Sequence, residues 1–401
     1  MRLRVNKNRE DKFLLMVINR GIGNRSITDS HLSKQTQGLD WGIVVEKGFQ
    51  NRVASLLYHV LKESDIVDNL PDRYHKILKK FHLETIQWNL RIKNSILTLL
   101  EKFKDKEIEP LLLKGVFLAF SVWPSMAMRQ MHDIDIVVAR EEAKKAFEII
   151  ISEGFDFTGK ESFNYYMEYT KDFPYFIEKK SGVIVELHHK IFTPNKKFSI
   201  DEKIFWENSS KQQFFGRSIR VLGSNDLLIH LCLHVSLGHF MDDMMRSLLD
   251  ISLLKKCDWY TLDEEQFIEW LDDLKWGPLI ALPLLITEKY FNQKWEIGGR
   301  RPINVLLGRF TNWKLSILDS AADKFLIKYR EKSLIEKLHL RASRTILYNP
   351  GYGPIRIVLD FFTVHEGITR KYEKISLFGK IKNNFNRIVR ILKLFLRERV
   401  K

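Results

Sequence analysis

Cysteine is scarce in this sequence: Cys232 and Cys257 are the two thiols in 401 residues. Two thiols exclude a disulfide scaffold and a cysteine-based zinc ribbon, and they fit a reducing compartment. Long apolar runs are scarce as well. The longest, Leu279 to Ile286, contains Pro283 and falls well short of the roughly 18 residues of a membrane-spanning helix. The run Phe13 to Ile18 is too brief for the apolar stretch of a secretory signal, and no small-residue cleavage site follows it. Fixed-period repeats and low-complexity segments are missing too. The expectation is a cytoplasmic protein. With 45% hydrophobic and 29% charged residues, the chain can bury sizeable cores and is not a disordered one.

The net charge of +15 is unevenly spread. Residues 370–401 hold eleven Lys/Arg against Glu373 and Glu398, a balance of +9, and residues 1–25 carry +5. Only +1 is left for residues 26–369. A track for a long polyanion needs many cations on one face, so the bulk of the chain does not read as an RNA-binding surface. The tail repeats Ile381, Phe385, Ile388, Leu392 and Phe395 at helical spacing among basic residues. Such a helix packs on the protein, grips an acidic polymer, or contacts an anionic membrane surface, the last of which would make the protein peripheral to the membrane.

Periodicity divides the chain into four stretches. Residues 1–105 are mostly helical. Val44, Val45, Phe49, Val53, Leu56, Leu57 and Val60 predict a helix over 41–61, and Leu83, Ile86, Leu90, Leu97 and Leu100 form the expected buried stripe of a helix over 72–103. Residues 106–195 alternate short apolar strands with helices and are the only clearly α/β part. Residues 173–180 and 183–189 read as a hairpin turned at Ser181-Gly182. Residues 196–369 are helical again, and 370–401 form the basic amphipathic tail helix. The expected fold class is α+β, a small mixed-sheet core flanked by helical N- and C-terminal regions.

The chemistry sits in the α/β stretch. Lys114-Gly115 ends a short apolar run, Arg129 follows, and His132-Asp133-Ile134-Asp135-Ile136-Val137-Val138 begins a strand. Alternation puts Asp133 and Asp135 on one face. Two adjacent carboxylates repel each other unless a cation joins them, and a hard divalent ion such as Mg²⁺ suits such a pair. Glu186, in Val183 to His188, is the candidate third carboxylate. Three carboxylates on neighbouring strands could hold two metals for phosphoryl transfer. Gly115 at a strand-to-helix turn would let phosphate approach backbone N–H groups, with Lys114 and Arg129 either neutralising its charge or held in structural ion pairs.

This arrangement resembles the nucleotidyltransferase superfamily with a DNA polymerase β-like catalytic core. More narrowly, it is similar to bacterial proteins known only as uncharacterised nucleotidyltransferases. The resemblance is carried by Leu113-Lys114-Gly115, Arg129, Asp133 to Val138, Gly154-Phe155, Glu186-Leu187-His188, Asp226 to Leu231 with His234, and Leu248-Leu249-Asp250-Ile251. It spans roughly residues 40–260. It implies a nucleotidyltransferase core over 106–195 that moves a nucleoside monophosphate from an NTP to an acceptor, with ATP among the candidate donors and Mg²⁺ or Mn²⁺ as cofactor. Asp133, Asp135 and Glu186 would be the catalytic metal ligands, and Lys114, Gly115 and Arg129 the nucleotide-binding residues.

His188, His230 and His234 are placed beside the acceptor or behind the ligands. The acceptor is expected to be a small molecule or a peptide or protein hydroxyl. Three alternatives stand beside this reading: an inactive nucleotide-binding module, an RNA-end nucleotidyltransferase, and a metallohydrolase. The last rests on His230 and His234, four apart on one helical face with Asp243 nearby. Arg246 and Asp250, also four apart, read as an ion pair along one helix.

Overall fold

The computed structural model describes residues 8–191, 202–238, 244–273, 276–327, 334–348 and 353. The basic tail and Asp243 lie outside the described residues. The chain divides into two compact units, Met1–Gly308 with Ala322–Arg330, and Arg309–Ala321 with Glu331–Lys401. In the second unit the described part includes most of the helix Leu334–Tyr348. The functional candidates all belong to the first.

The first unit opens with helices α1 (Arg9–Gly21), α2 (Asp29–Gln35), α3 (Trp41–Gln50), α4 (Ala54–Glu63) and the long α5 (Asp72–Asp105). The single helix expected over 41–61 is broken in two. Arg52 turns into the left-handed region at φ 57°, and Val53 N–H reaches back to Gly48 O, closing α3 before α4 begins.

In α5 the expected stripe is displaced. Leu83 and Leu90 are exposed, Ile86 and Leu97 are half-buried, and Leu100 is buried as expected; the buried face also carries Leu78, His82, Thr85, Asn89, Ile92, Ser95, Ile96, Leu99 and Phe103. Its polar residues are buried for their hydrogen bonds, which hydrophobic periodicity does not count. Asn89 Nδ2 donates to Met126 O at 2.7 Å and Arg129 O at 2.9 Å. Ser55 Oγ on α4 bonds to Ala127 O and lies 2.8 Å from His82 Nδ1. The helical N-terminal region therefore grips the loop that leads into the acidic strand.

The core is a seven-stranded mixed sheet: β1 (Leu111–Leu112), β2 (Asp133–Val137), β3 (Phe155–Phe157), β4 (Phe176–Glu178), β5 (Ile184–His188), β6 (Ser210–Phe214) and β7 (Arg217–Val221), in the spatial order β3-β4-β5-β2-β1-β7-β6. β1 pairs antiparallel with β2 and parallel with β7, and β2 pairs parallel with β5. This bears out the α+β class. The sheet extends past residue 195, because β6 and β7 add a second hairpin at its edge. Helices α6 (Lys114–Ser121), α7 (Ala143–Ser152), α8 (Phe163–Tyr169) and α9 (Lys203–Glu207) are interleaved. The turn between β4 and β5 needs Gly182, at φ +75°, and Gly154 follows α7 at φ +90°.

After the sheet come α10 (Ser224–Leu233), a π-helical turn His234–Gly238, α11 (Met245–Leu254), α12 (Glu264–Asp272), α13 (Gly277–Phe291) and α14 (Pro302–Arg309). α10 and α11 pack on each other and on α13. All of α10 from Asn225 to Leu233 is buried, its polar residues Asn225, Asp226 and His230 included. No helix among the described residues is long and apolar enough to cross a membrane.

Candidate active site

Strands β2 and β5 run parallel in a register that sets Asp135 opposite Glu186, Asp133 opposite Ile184 and Val137 opposite His188. Residues two apart on a strand share a face. Asp133, Asp135, Glu186 and His188 therefore project to one side of the sheet. Ile134, Ile136, Val185 and Leu187 project to the other, where each is fully buried. The sequence had already shown which residues alternate; strand pairing adds that the two acidic segments are immediate neighbours.

Ligand atoms of Asp135, Glu186 and His188 lie within 4.8 Å of one another. His188 Nε2 is 3.1 Å from Asp135 Oδ1 and 3.6 Å from Glu186 Oε2. On its other side, His188 Nδ1 is 3.3 Å from Lys171 Nζ and 3.6 Å from Asp172 Oδ2. Lys171 and Asp172 form an ion pair at 2.6 Å. Neither was singled out from the sequence. A single bridge, Asp172 to His188, brings them beside β5, and nothing in a Lys-Asp dipeptide announces that contact.

The charges in this cluster are held unequally. Burial, reinforced by the like charges of Asp135 and Glu186, pushes the Asp133 carboxyl up to about 6. Burial acts on Asp135 in the same direction, but the Lys114 charge and the His188 hydrogen bond outweigh it and hold Asp135 well below the usual carboxylate range. For His188, burial favours the neutral ring, yet hydrogen bonds to Asp135 and Glu186 prevail and raise its pKa. The opposite shifts of Asp133 and Asp135 follow from crowding carboxylates at a partly buried site where their neighbours differ.

Lys114 opens α6 directly after β1, and the turn is tied to β2 by Leu113 N–H donating to Asp135 O at 3.2 Å. Gly115 follows. Its φ is not in the left-handed region, and a Cβ there would meet only ordinary contacts: Asp135 Oδ2 at 3.7 Å, Asp133 O at 3.9 Å and Arg129 Nη1 at 4.0 Å. Neither backbone nor packing requires glycine here. Its missing side chain leaves a small gap at the start of α6, bordered by Asp135 Oδ2 and Arg129 Nη1. The two carboxylates and imidazole likewise form a donor set that suits a divalent cation. Oxygen donors serve Mg²⁺ and the added imidazole is tolerated by Mn²⁺.

Arg129 lies on this gap but is not a mobile phosphate ligand. It is 4% exposed, and its Nε and Nη2 donate to Asp250 Oδ1 and Oδ2 at 2.9 and 2.8 Å. Asp250 thus pairs across the fold with Arg129 in place of the expected pairing along its own helix, and Arg246 Nη1 donates to Gln130 O at 2.8 Å. His230 and His234 stack with centroids 6.4 Å apart and planes 11° from parallel. His234 Nδ1 is 3.4 Å from Lys114 Nζ, and burial lowers the His230 pKa to about 3. His234 therefore borders the cleft on the Lys114 side.

The comparison with known proteins follows the same residues. The family model described as "uncharacterised nucleotidyltransferase" matches residues 37–292, well over half of the chain, and includes every residue named above in the cleft. The chain belongs to that family, and its general role is that of a nucleotidyltransferase. No curated protein and no solved structure matches it significantly.

Proposed function

We propose, with membership of the uncharacterised nucleotidyltransferase family as the premise, that the chain transfers a nucleoside monophosphate from an NTP to a hydroxyl acceptor and releases pyrophosphate. The observation that carries this reading is the pairing of Asp135 with Glu186 on adjacent strands, with Asp133 on the same face. Asp133, Asp135 and Glu186 would hold Mg²⁺ or Mn²⁺, which when bound offsets charge on the phosphate oxygens in transit. The triphosphate lies over the Gly115 turn, where the N–H groups opening α6 and the Lys114 ammonium meet its oxygens.

The acceptor enters from the β4 side. Tyr175, 47% exposed, immediately precedes β4, the strand next to β5. Glu186 accepts the hydrogen bond of the acceptor hydroxyl and takes its proton. The acceptor oxygen attacks the α-phosphorus, the bond to the bridging β-phosphate oxygen breaks, and pyrophosphate departs past Lys114. His188 holds Asp135 in place through their hydrogen bond. His230 and His234 support the Lys114 side. A small molecule or a peptide hydroxyl suits the near-neutral charge of residues 26–369 better than a long RNA does.

Incubation with NTPs labelled at either the α- or γ-phosphate tests the reaction class. The expected outcome is metal-dependent release of pyrophosphate and transfer of the α-label, lost in Asp133→Asn. Transfer of the γ-label, or release of inorganic phosphate alone, would contradict it.

A further inference from the structure

Arg129 is held at both ends by helices from opposite parts of the sequence. Its backbone carbonyl accepts from Asn89 Nδ2 of α5 at 2.9 Å. Its guanidinium is clamped by Asp250 of α11 through two nitrogens. Asp250 is 1% exposed and also accepts from Trp123 Nε1 at 2.7 Å, so three donors fix its two oxygens. A guanidinium is a planar fork. With Nε and Nη2 set on Asp250, the direction of Nη1 is determined. Nη1 lies 4.0 Å from the Cβ position of Gly115, and Asp135 Oδ2 lies 3.7 Å from the same point. The third nitrogen and the acidic site therefore border one gap.

We propose that Asp250 is a positioning residue for nucleotide binding: it fixes Arg129 so that Nη1 presents a donor to a triphosphate oxygen in the gap at Gly115. The inference rests on the nucleotidyl-transfer reading and extends it to a residue on the helical C-terminal side. A buried ion pair is weak evidence of a stabilising role, since apolar residues of similar volume often serve as well. A second function accounts for it here. Asp250 offsets the charge that Arg129 would otherwise carry alone in the interior, and so a donor can be kept rigid where a flexible lysine could not. Arg129 meets the phosphate through one preset nitrogen, and Lys114, the residue before Gly115, supplies the second positive charge.

The test measures the Kd of Mg²⁺ with a non-hydrolysable NTP, the tightest of the four, alongside thermal stability. Asp250→Asn and Arg129→Lys are each expected to weaken nucleotide binding by about tenfold or more, a loss of the size carried by a charge-assisted contact. The double variant should bind no worse than either single one, because both remove the same preset donor. Asp250→Glu should recover part of the affinity. Trp123→Phe, which spares the ion pair, should weaken binding two- to threefold and serves should Asp250→Asn fail to fold. Lys47→Met removes another buried ion pair, Lys47 with Asp11 at 2.6 Å, away from the cleft. It should lower thermal stability and leave the Kd unchanged. Wild-type protein that binds nucleotide while Asp250→Asn or Trp123→Phe binds equally well would overturn the positioning role alone. So would losses that add in the double variant. Wild-type protein that binds no NTP would overturn the nucleotidyl-transfer reading along with it.

Discussion

The two ends of strand β1 both bring carboxylates and cations together, yet they differ in kind. Before the strand, Glu109 pairs with Lys211 at 2.6 Å and Arg220 at 3.0 Å, and Arg217 pairs with Glu101 at 3.2 Å. They line a groove of about 780 Å³ that also includes Leu100, Ile108 and Pro110. These side chains stand largely in water, and the hydrogen bonds from Lys211 and Arg220 lower the Glu109 carboxyl. After the strand, Lys114 faces Asp133 and Asp135, and burial acts strongly on both: it raises the Asp133 carboxyl, while at Asp135 the Lys114 charge and the His188 hydrogen bond must outweigh it. The same residue types are solvated decoration at one end and a poised cluster at the other. Desolvation makes the difference, because water screens exposed pairs to about 0–1 kcal/mol while buried charges must be resolved by their neighbours. The broad groove is therefore not the chemical site.

The widest separation between the two ends should appear in catalysis. Asp135→Asn is expected to slow transfer at least ~100-fold, a loss of about 3 kcal/mol in transition-state stabilisation. Glu109→Gln should stay within about twofold, since exposed pairs are weakly coupled to their surroundings. Steady-state turnover of both variants decides it, and an equal loss in Glu109→Gln would erase the distinction.

Buried charge with little compensation should also show in stability. Asp226, 2% exposed on α10, has an Oδ2 with no hydrogen-bond partner among the described residues, and burial pushes its carboxyl from an ordinary 3.8 up to about 6. The folded state then holds the proton more tightly than the unfolded one. Its contribution is fully present below about 3.8 and is lost as pH rises through about 6. Asp226→Asn should therefore stabilise the protein by up to about 3 kcal/mol at pH ~8 and by little at pH ~4. Denaturant melts at the two pH values check this; a gain that does not depend on pH would contradict it.

Gly115→Ala separates stability from function. Alanine exceeds glycine in helix propensity by up to about 1 kcal/mol, and its methyl meets nothing closer than 3.7 Å. Thermal stability should hold or rise while NTP affinity falls about tenfold, or ~1.4 kcal/mol. An unchanged Kd would mean that the gap holds no phosphate. The smallest effect belongs to Lys211→Met, expected to cost less than about 1 kcal/mol of stability, with nucleotide binding untouched.

What could be read from the sequence follows from the range of each signal. Asp133-Ile134-Asp135 and Glu186-Leu187-His188 were legible because strand alternation and chemical character coincide in them. Strand β6 was not, because Ser210 to Phe214 is a polar edge strand with only Phe214 buried, and it offers no apolar run to find. The α5 stripe was misplaced because His82, Thr85 and Asn89 are buried for their hydrogen bonds, which hydrophobic periodicity does not count. Asp250 was assigned to Arg246, four residues away, since local spacing is all one sequence displays. Its real partner, Arg129, is 121 residues distant and meets it only after folding.

The decisive measurement is an experimental structure of the protein with Mn²⁺ and a non-hydrolysable NTP, with the metal located by its anomalous scattering. The expected result is metal held between Asp135 and Glu186, with Asp133 in the same cleft and the triphosphate over Gly115. Metal seated on His230 and His234, or nucleotide bound away from the Asp133–Asp135–Glu186 face, would contradict the assignment of this cleft as the site of nucleotidyl transfer.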